Sequence, residues 1–208
     1  MAWLETSIDP RVSQALIGGA FLAAGWVVSA WAGRRAAAQA RAARVADLQR
    51  ALLAEIGTSL ANLGSESRIA EETGIILARM RAEPGFVPFI PRERANAVYA
   101  AALEDIALLP GVTVEPVVAF YAQAAALAAL AEDMRAPAFV RLAPERRLRV
   151  YEDYAEMKRQ ALLFGQAAVH LIQVHARDGE PAAEREAAQL RRSGLPPDAA
   201  PSSPTGDQ

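Results

Sequence analysis

The 208-residue sequence has no cysteine, only two histidines and a single lysine, Lys158, among 22 basic residues. Without cysteine there is no disulfide, no zinc–thiolate centre, no iron–sulfur cluster and no cysteine nucleophile. His170 and His175 lie five residues apart and diverge by ~140° on a helix, so they do not clasp a metal as an i, i+4 pair would. Neither follows a glutamate at the spacing of the Glu-x-x-His motif of di-iron bundles. The Gly-Lys-Ser/Thr of phosphate-binding loops is missing, as are G-x-G-x-x-G, G-x-S-x-G and His-x-Glu. A net charge of −2 leaves no basic footprint for nucleic acid. No cofactor and no nucleic-acid partner is therefore expected.

Aromatic residues are also scarce, at 6%, although 52% of the chain is apolar. Much of that apolarity is alanine, the strongest helix former. No run alternates as a half-buried strand does, and the reading is all-α.

Charge is absent from residues 12–33, a 22-residue stretch reading VSQALIGGAFLAAGWVVSAWAG. A helix crosses a ~30 Å hydrocarbon core in roughly 20 residues, so the length suits one transmembrane span. Trp26 and Trp31 approach its C-terminal boundary and Trp3 precedes it, near the interfaces that indoles favour. Ala30-Trp31-Ala32 resembles a signal-cleavage site. Against cleavage stand the lack of a basic leader, with Glu5 and Asp9 beside Arg11, the length of the run, and Arg34 and Arg35 directly after it. A signal-anchor is expected. Arg34, Arg35, Arg41 and Arg44 crowd the C-terminal flank, and the positive-inside rule then places the main domain in the cytoplasm, on the inner membrane of a bacterium. These four arginines are the candidate membrane-surface residues. Ala15, Gly19 and Ala23, like Gly25, Ser29 and Gly33, repeat at the four-residue spacing of close-packed membrane helices, a weak pattern in so alanine-rich a run.

The expected organisation is a short extracytoplasmic segment (1–11), a transmembrane helix (12–33), an antiparallel helical bundle (34–177) and a mostly disordered tail (178–208). No proline falls between Pro10 and Pro84, so the first helix continues past the membrane. Val45, Leu48, Leu52, Ile56, Leu60 and Leu63 share one helical face. A strict heptad would put Glu55 and Ser59 into the seam, which argues for packing on neighbouring helices over a long parallel coiled coil. Gly57 and Gly64 are candidate end points. A second helix is expected over 65–82, with Ile69, Ile75, Ile76 and Met80 inward, and a third over 92–109. A fourth spans 116–131, capped by Thr113 and Glu115. Its single polar residue, Gln123, suits the bundle centre, and sixteen residues is short for a second span. The longest soluble helix runs from Pro144 to about Arg177. Beyond it, prolines mixed with polar residues predict disorder with a weak helical stretch at 182–192.

Few residues stand out as functional. The acidic neighbours Glu71-Glu72, Glu104-Asp105, Glu132-Asp133 and Glu152-Asp153 point apart on a helix and read as solvated faces. His170 reads as a boundary residue. Lys158 falls within an apolar arc, where its stem can snorkel, its ammonium can pair with an acid, or it can serve a site. Phe86, Val87, Phe89 and Ile90, on a proline-broken connection, are the candidate partner-binding residues; the alternative is packing over the end of the bundle. The leading expectation is a non-enzymatic interaction or scaffolding module that binds a protein partner or self-associates at the membrane, with lipid contacts through the anchor. The alternatives are a membrane-associated enzyme or ligand-binding domain, and a secreted periplasmic protein if the apolar segment is cleaved.

Overall fold

The computed structural model describes the backbone of residues 10–92 and 96–193 and the side chains of residues 25–92 and 96–193. Trp3, the Ala15-Gly19-Ala23 spacing and the tail at 194–208 lie outside the described side chains. Among the described residues every regular element is helical: α1 (Pro10–Leu63), α2 (Glu66–Ala82), α3 (Ala97–Ala102) leading into a 3-10 helix (Leu103–Leu108), α4 (Gly111–Arg135), α5 (Pro137–Val140), α6 (Pro144–Asp178) and α7 (Glu180–Arg192). The chain divides into two compact units between Val45 and Ala46, within α1.

In the first unit, the 54-residue α1 passes through residues 12–33 without interruption. The apolar side chains described there, Trp26, Val27, Val28 and Trp31, are 59–75% exposed. Arg34, Arg35, Arg41 and Arg44 are exposed as well.

The second unit is built around α6, which packs against α4, α2 and α7. Ala161, Leu162, Phe164, Gly165, Ala167, Ala168, Leu171 and Ile172 are all buried, so the middle of α6 is enclosed on nearly every side. This corrects the placing of the 116–131 helix at the centre. Helix α4 buries one face through Val117, Phe120, Leu127 and Ala131, while Val118, Ala122, Ala125, Ala126 and Ala129 are exposed. Alanine carries little surface, so an alanine face meets water at small cost. Among the described residues α4 is the one helix long and apolar enough to cross a membrane. It lies along α6, whose Arg146, Arg149, Asp153 and Arg159 would be costly in lipid.

Gly64 ends α1 at a φ of 81°, where glycine has no Cβ penalty. Ser65 then caps α2, its hydroxyl accepting from Arg68 N. The turn does not fold α2 back onto α1. Leu60 lies at Gly165 and Gln49 bonds His175, whereas Glu66 pairs with Arg159 and Arg81 with Glu152. Helices α1 and α2 thus run in the same direction along successive stretches of α6. Both are antiparallel to it but not to each other, unlike the simple antiparallel bundle expected.

Other differences have local causes. Ile75, expected inward, is 62% exposed, because Ile69 and Met80 define the face α2 turns to α6. The third helix does not extend to Leu109 as an α-helix but tightens into the 3-10 turn. Thr113 is not the cap of α4: it lies in the first turn, buried, its hydroxyl donating to Pro110 O at 2.9 Å. Residues 180–192, assigned to the tail, form a packed helix. Gly179, at a φ of 81°, turns the chain, and Ala183 and Ala187 pack at 0% and 5% exposure. Alanines four apart carry too little area to announce a buried face in the sequence; the neighbouring helices supply it.

Candidate functional site

Two hydrophobic cores lie along α6. One gathers Leu52, Ile56, Val117, Phe120, Phe164 and Ile172; the other gathers Met80, Ile90, Met134, Phe139, Tyr151 and Tyr154. Beside them lies a groove of about 870 Å³, walled by α1 (Ala51 to Leu63), α4 (Phe120 to Ala128), α6 (Tyr154 to Ala161) and the connection at Pro91 and Arg92. That volume is within the ~300–1,000 Å³ of ordinary ligand sites. Its wall is apolar at Phe120, Leu127, Ala124, Ala128 and Ala161, and its charged members are Glu55, Arg92 and Lys158.

Glu55, half-buried on α1, accepts three hydrogen bonds. Its Oε1 accepts from Val98 N at 2.8 Å, and its Oε2 accepts from Tyr99 N at 3.0 Å and Tyr121 OH at 2.7 Å. Asn96 gives α3 no side-chain cap, so a carboxylate from another helix satisfies the first free N–H groups. Tyr99 and Tyr121 stack at 3.8 Å between centroids. Burial pushes the Tyr121 phenol well above its ordinary pKa, and the bond to Glu55 and its negative charge add to the rise. Three bonds to two other segments of the chain make Glu55 a structural clasp.

Lys158 is half-buried, with Nζ 6.0 Å from the Tyr154 ring centroid. Its charge acts on Glu72 of α2, which Arg68 already holds at 2.8 Å. Arg68 holds the Glu72 carboxyl below its ordinary pKa, with a smaller contribution from the Lys158 charge. Helix geometry placed Lys158 in the apolar arc; it did not reveal that a groove opens there.

The connection at 86–91 divides its four candidates. Ile90 is buried at 4%, Phe86 and Val87 are half-buried against the second core, and Phe89 is 88% exposed. Three prolines within 84–91 prevent regular backbone pairing. Arginines take the carbonyls instead: Arg147, itself 6% exposed, donates to Pro84 O and Phe86 O, and Arg135 donates to Pro91 O at 2.8 Å. Arg79 stands 4.1 Å over the Phe86 ring. Of the four, Phe89 alone is exposed. Sequence reasoning missed both Arg147, one arginine in an arginine-rich turn, and Glu55, which entered only as an argument against a heptad seam.

The histidines stand apart. His175 Nδ1 accepts from the buried Gln49 at 3.1 Å, and His170 meets Glu186 of α7 at 3.0 Å. Among the described residues no three His, Asp or Glu side chains converge as metal ligands do. Comparison with protein-family models, curated proteins and solved structures finds no match.

Proposed function

We propose that the chain is a single-pass membrane protein of the inner membrane, with residues 12–33 as its anchor. Its helical bundle then acts in the cytoplasm as a protein-interaction or scaffolding module. The observation that carries the anchor is the exposure of Trp26, Val27, Val28 and Trp31 on a continuous helix within a charge-free run. In water each such side chain forgoes on the order of 1.5–3 kcal/mol of burial free energy, which lipid supplies. Arg35 stands 5.4 Å over the Trp31 ring, a pairing suited to the headgroup zone. Exposed Arg34, Arg41 and Arg44 support a cytoplasmic bundle through the positive-inside rule.

Alkaline carbonate extraction tests the anchor, and C-terminal phosphatase and fluorescent-protein fusions test the orientation. Retention in the pellet, with fluorescence and no phosphatase activity, is expected. Release of the full-length chain by carbonate rules out the anchor, and an active phosphatase fusion reverses the orientation. Phe89, exposed on a connection whose other large side chains pack inward, is the partner contact this reading favours.

A second reading, a ligand-binding helical domain, is favoured by the groove beside Lys158.

A further inference from the structure

The arginines that follow residue 33 have no acid of their own. Between Asp9 and Asp47 the sequence contains no carboxylate, and Arg34, Arg35, Arg41 and Arg44 stand there mostly among alanines. All four are exposed, and among the described residues none forms an ion pair. Asp47, the first acid after them, is held by Arg50. Side chains on a helix lean toward its N-terminus, which here is the side of the charge-free run. Two contacts show that lean. Arg34 Nε donates to Ala30 O at 3.3 Å, and the Arg35 guanidinium lies 5.4 Å over the Trp31 ring, each one turn back along α1. Both contacts leave the terminal N–H groups of the guanidinium unused. A Cβ added at Gly33 would meet no neighbouring atom, so the helix is open beside them. Arg41 and Arg44 stand ~10 and ~15 Å beyond Arg34 along the axis, too far to share a ligand with it but within one or two Debye lengths.

We infer that Arg34 and Arg35 bind the phosphodiesters of anionic glycerophospholipids such as phosphatidylglycerol, with Arg41 and Arg44 adding attraction from a distance. A guanidinium fork meets two phosphate oxygens at once, which an ammonium does not. A zwitterionic headgroup brings its own cation beside the phosphate, so arginines without acid partners favour the lipid that lacks one. This selection rests on residues 12–33 being the anchor, and it names the lipid that the flank of the anchor recruits.

All three tryptophans, Trp3, Trp26 and Trp31, belong to this part of the chain, so their fluorescence reports on the anchor alone. The purified full chain is reconstituted in phosphatidylcholine vesicles, and quenching is followed as dibrominated phosphatidylglycerol or dibrominated phosphatidylcholine replaces the host lipid. At about fivefold for each arginine at the surface, phosphatidylglycerol is expected to be preferred roughly twentyfold at low salt. Arg34→Gln/Arg35→Gln should bring the ratio to within about twofold of unity, whereas Arg41→Gln/Arg44→Gln should lower it less than about threefold, as screening with distance requires. Circular dichroism of each variant confirms that the helices persist. Inorganic phosphate at constant ionic strength should leave the preference intact; if it abolishes the preference, the arginines take free phosphate and the lipid assignment falls. Equal quenching by the two brominated lipids, an unchanged ratio in Arg34→Gln/Arg35→Gln, or a larger loss in Arg41→Gln/Arg44→Gln overturns the inference and leaves the anchor standing. Quenching by neither lipid removes the anchor, and the lipid site with it.

Discussion

Around Phe120 the backbone is short of acceptors, because α3 begins without a cap of its own, and Glu55 reaches from α1 to take two N–H groups. Around Tyr151 it is short of donors, because a proline-broken connection leaves carbonyls unpaired, and Arg147 and Arg135 reach from α6 and α4 to fill them. One carboxylate at the first core and two guanidinium groups at the second thus close opposite deficits. A backbone group buried without a partner costs about as much as a lost hydrogen bond, so irregular segments are held by whichever charge the neighbouring helix presents. The two deficits lie beside different cores along α6, and disturbing one should leave the other largely intact.

The largest effect is expected from Arg147→Met, which strands two carbonyls at once. Stability should fall by about 2–4 kcal/mol in denaturant titration, with amide exchange rising over 84–91 but not over 97–102. Equal loss of protection in both segments would merge the two cores into one cooperative unit. Glu55→Gln keeps the shape but turns an acceptor oxygen into a donor, and should cost about 1–3 kcal/mol with exchange rising at Val98 and Tyr99.

Alkali probes only the Phe120 side strongly. The Tyr121 phenol stays protonated in the fold above the pH at which an unfolded tyrosine ionises. The unfolded state therefore releases the proton first, and stability falls as pH rises above ~10, by at most about 1.4 kcal/mol per pH unit. Tyr121→Phe should flatten that slope, and a slope unchanged in the variant would place the titrating group elsewhere. Tyr151, raised by burial, adds a smaller dependence of the same sign in the other core.

Gly165→Ala is expected to have the smallest effect. An added Cβ stands 2.6 Å from Leu60 Cδ2 and 3.0 Å from the Phe120 ring. Overpacking costs about 1–3 kcal/mol, but alanine returns about 1 kcal/mol of helix propensity, and Leu60 is only half-buried and can rotate. A net loss near 1 kcal/mol in thermal melting is expected; stabilisation would show that α1 yields at this point.

Much of the helical layout was legible. Gly64 is a candidate helix end, Pro144 marks the start of α6, and the alanine-rich composition favours helices over strands. What stayed hidden was partnership. Gly165 and Ala168 look unremarkable until Phe120 and Leu60 arrive over them, and α7 is a weak helix in isolation that is secured by burying Ala183 and Ala187. The candidate site was only partly visible: Lys158 stood out in an apolar arc, whereas the role of Glu55 and the groove itself need α3, α4 and the Pro91 connection.

The sequence by itself determined that the chain is helical, where most helices break, and that one charge-free run is long enough for lipid, because propensity, capping and hydropathy are local properties. Which helix is enclosed, that α1 and α2 succeed one another along α6, and that Glu55 clasps α3 and α4 while Glu72 pairs with Arg68 were decided only in three dimensions. Those outcomes depend on distances between residues far apart in the chain, and a linear pattern does not encode which side chain reaches a given backbone group first.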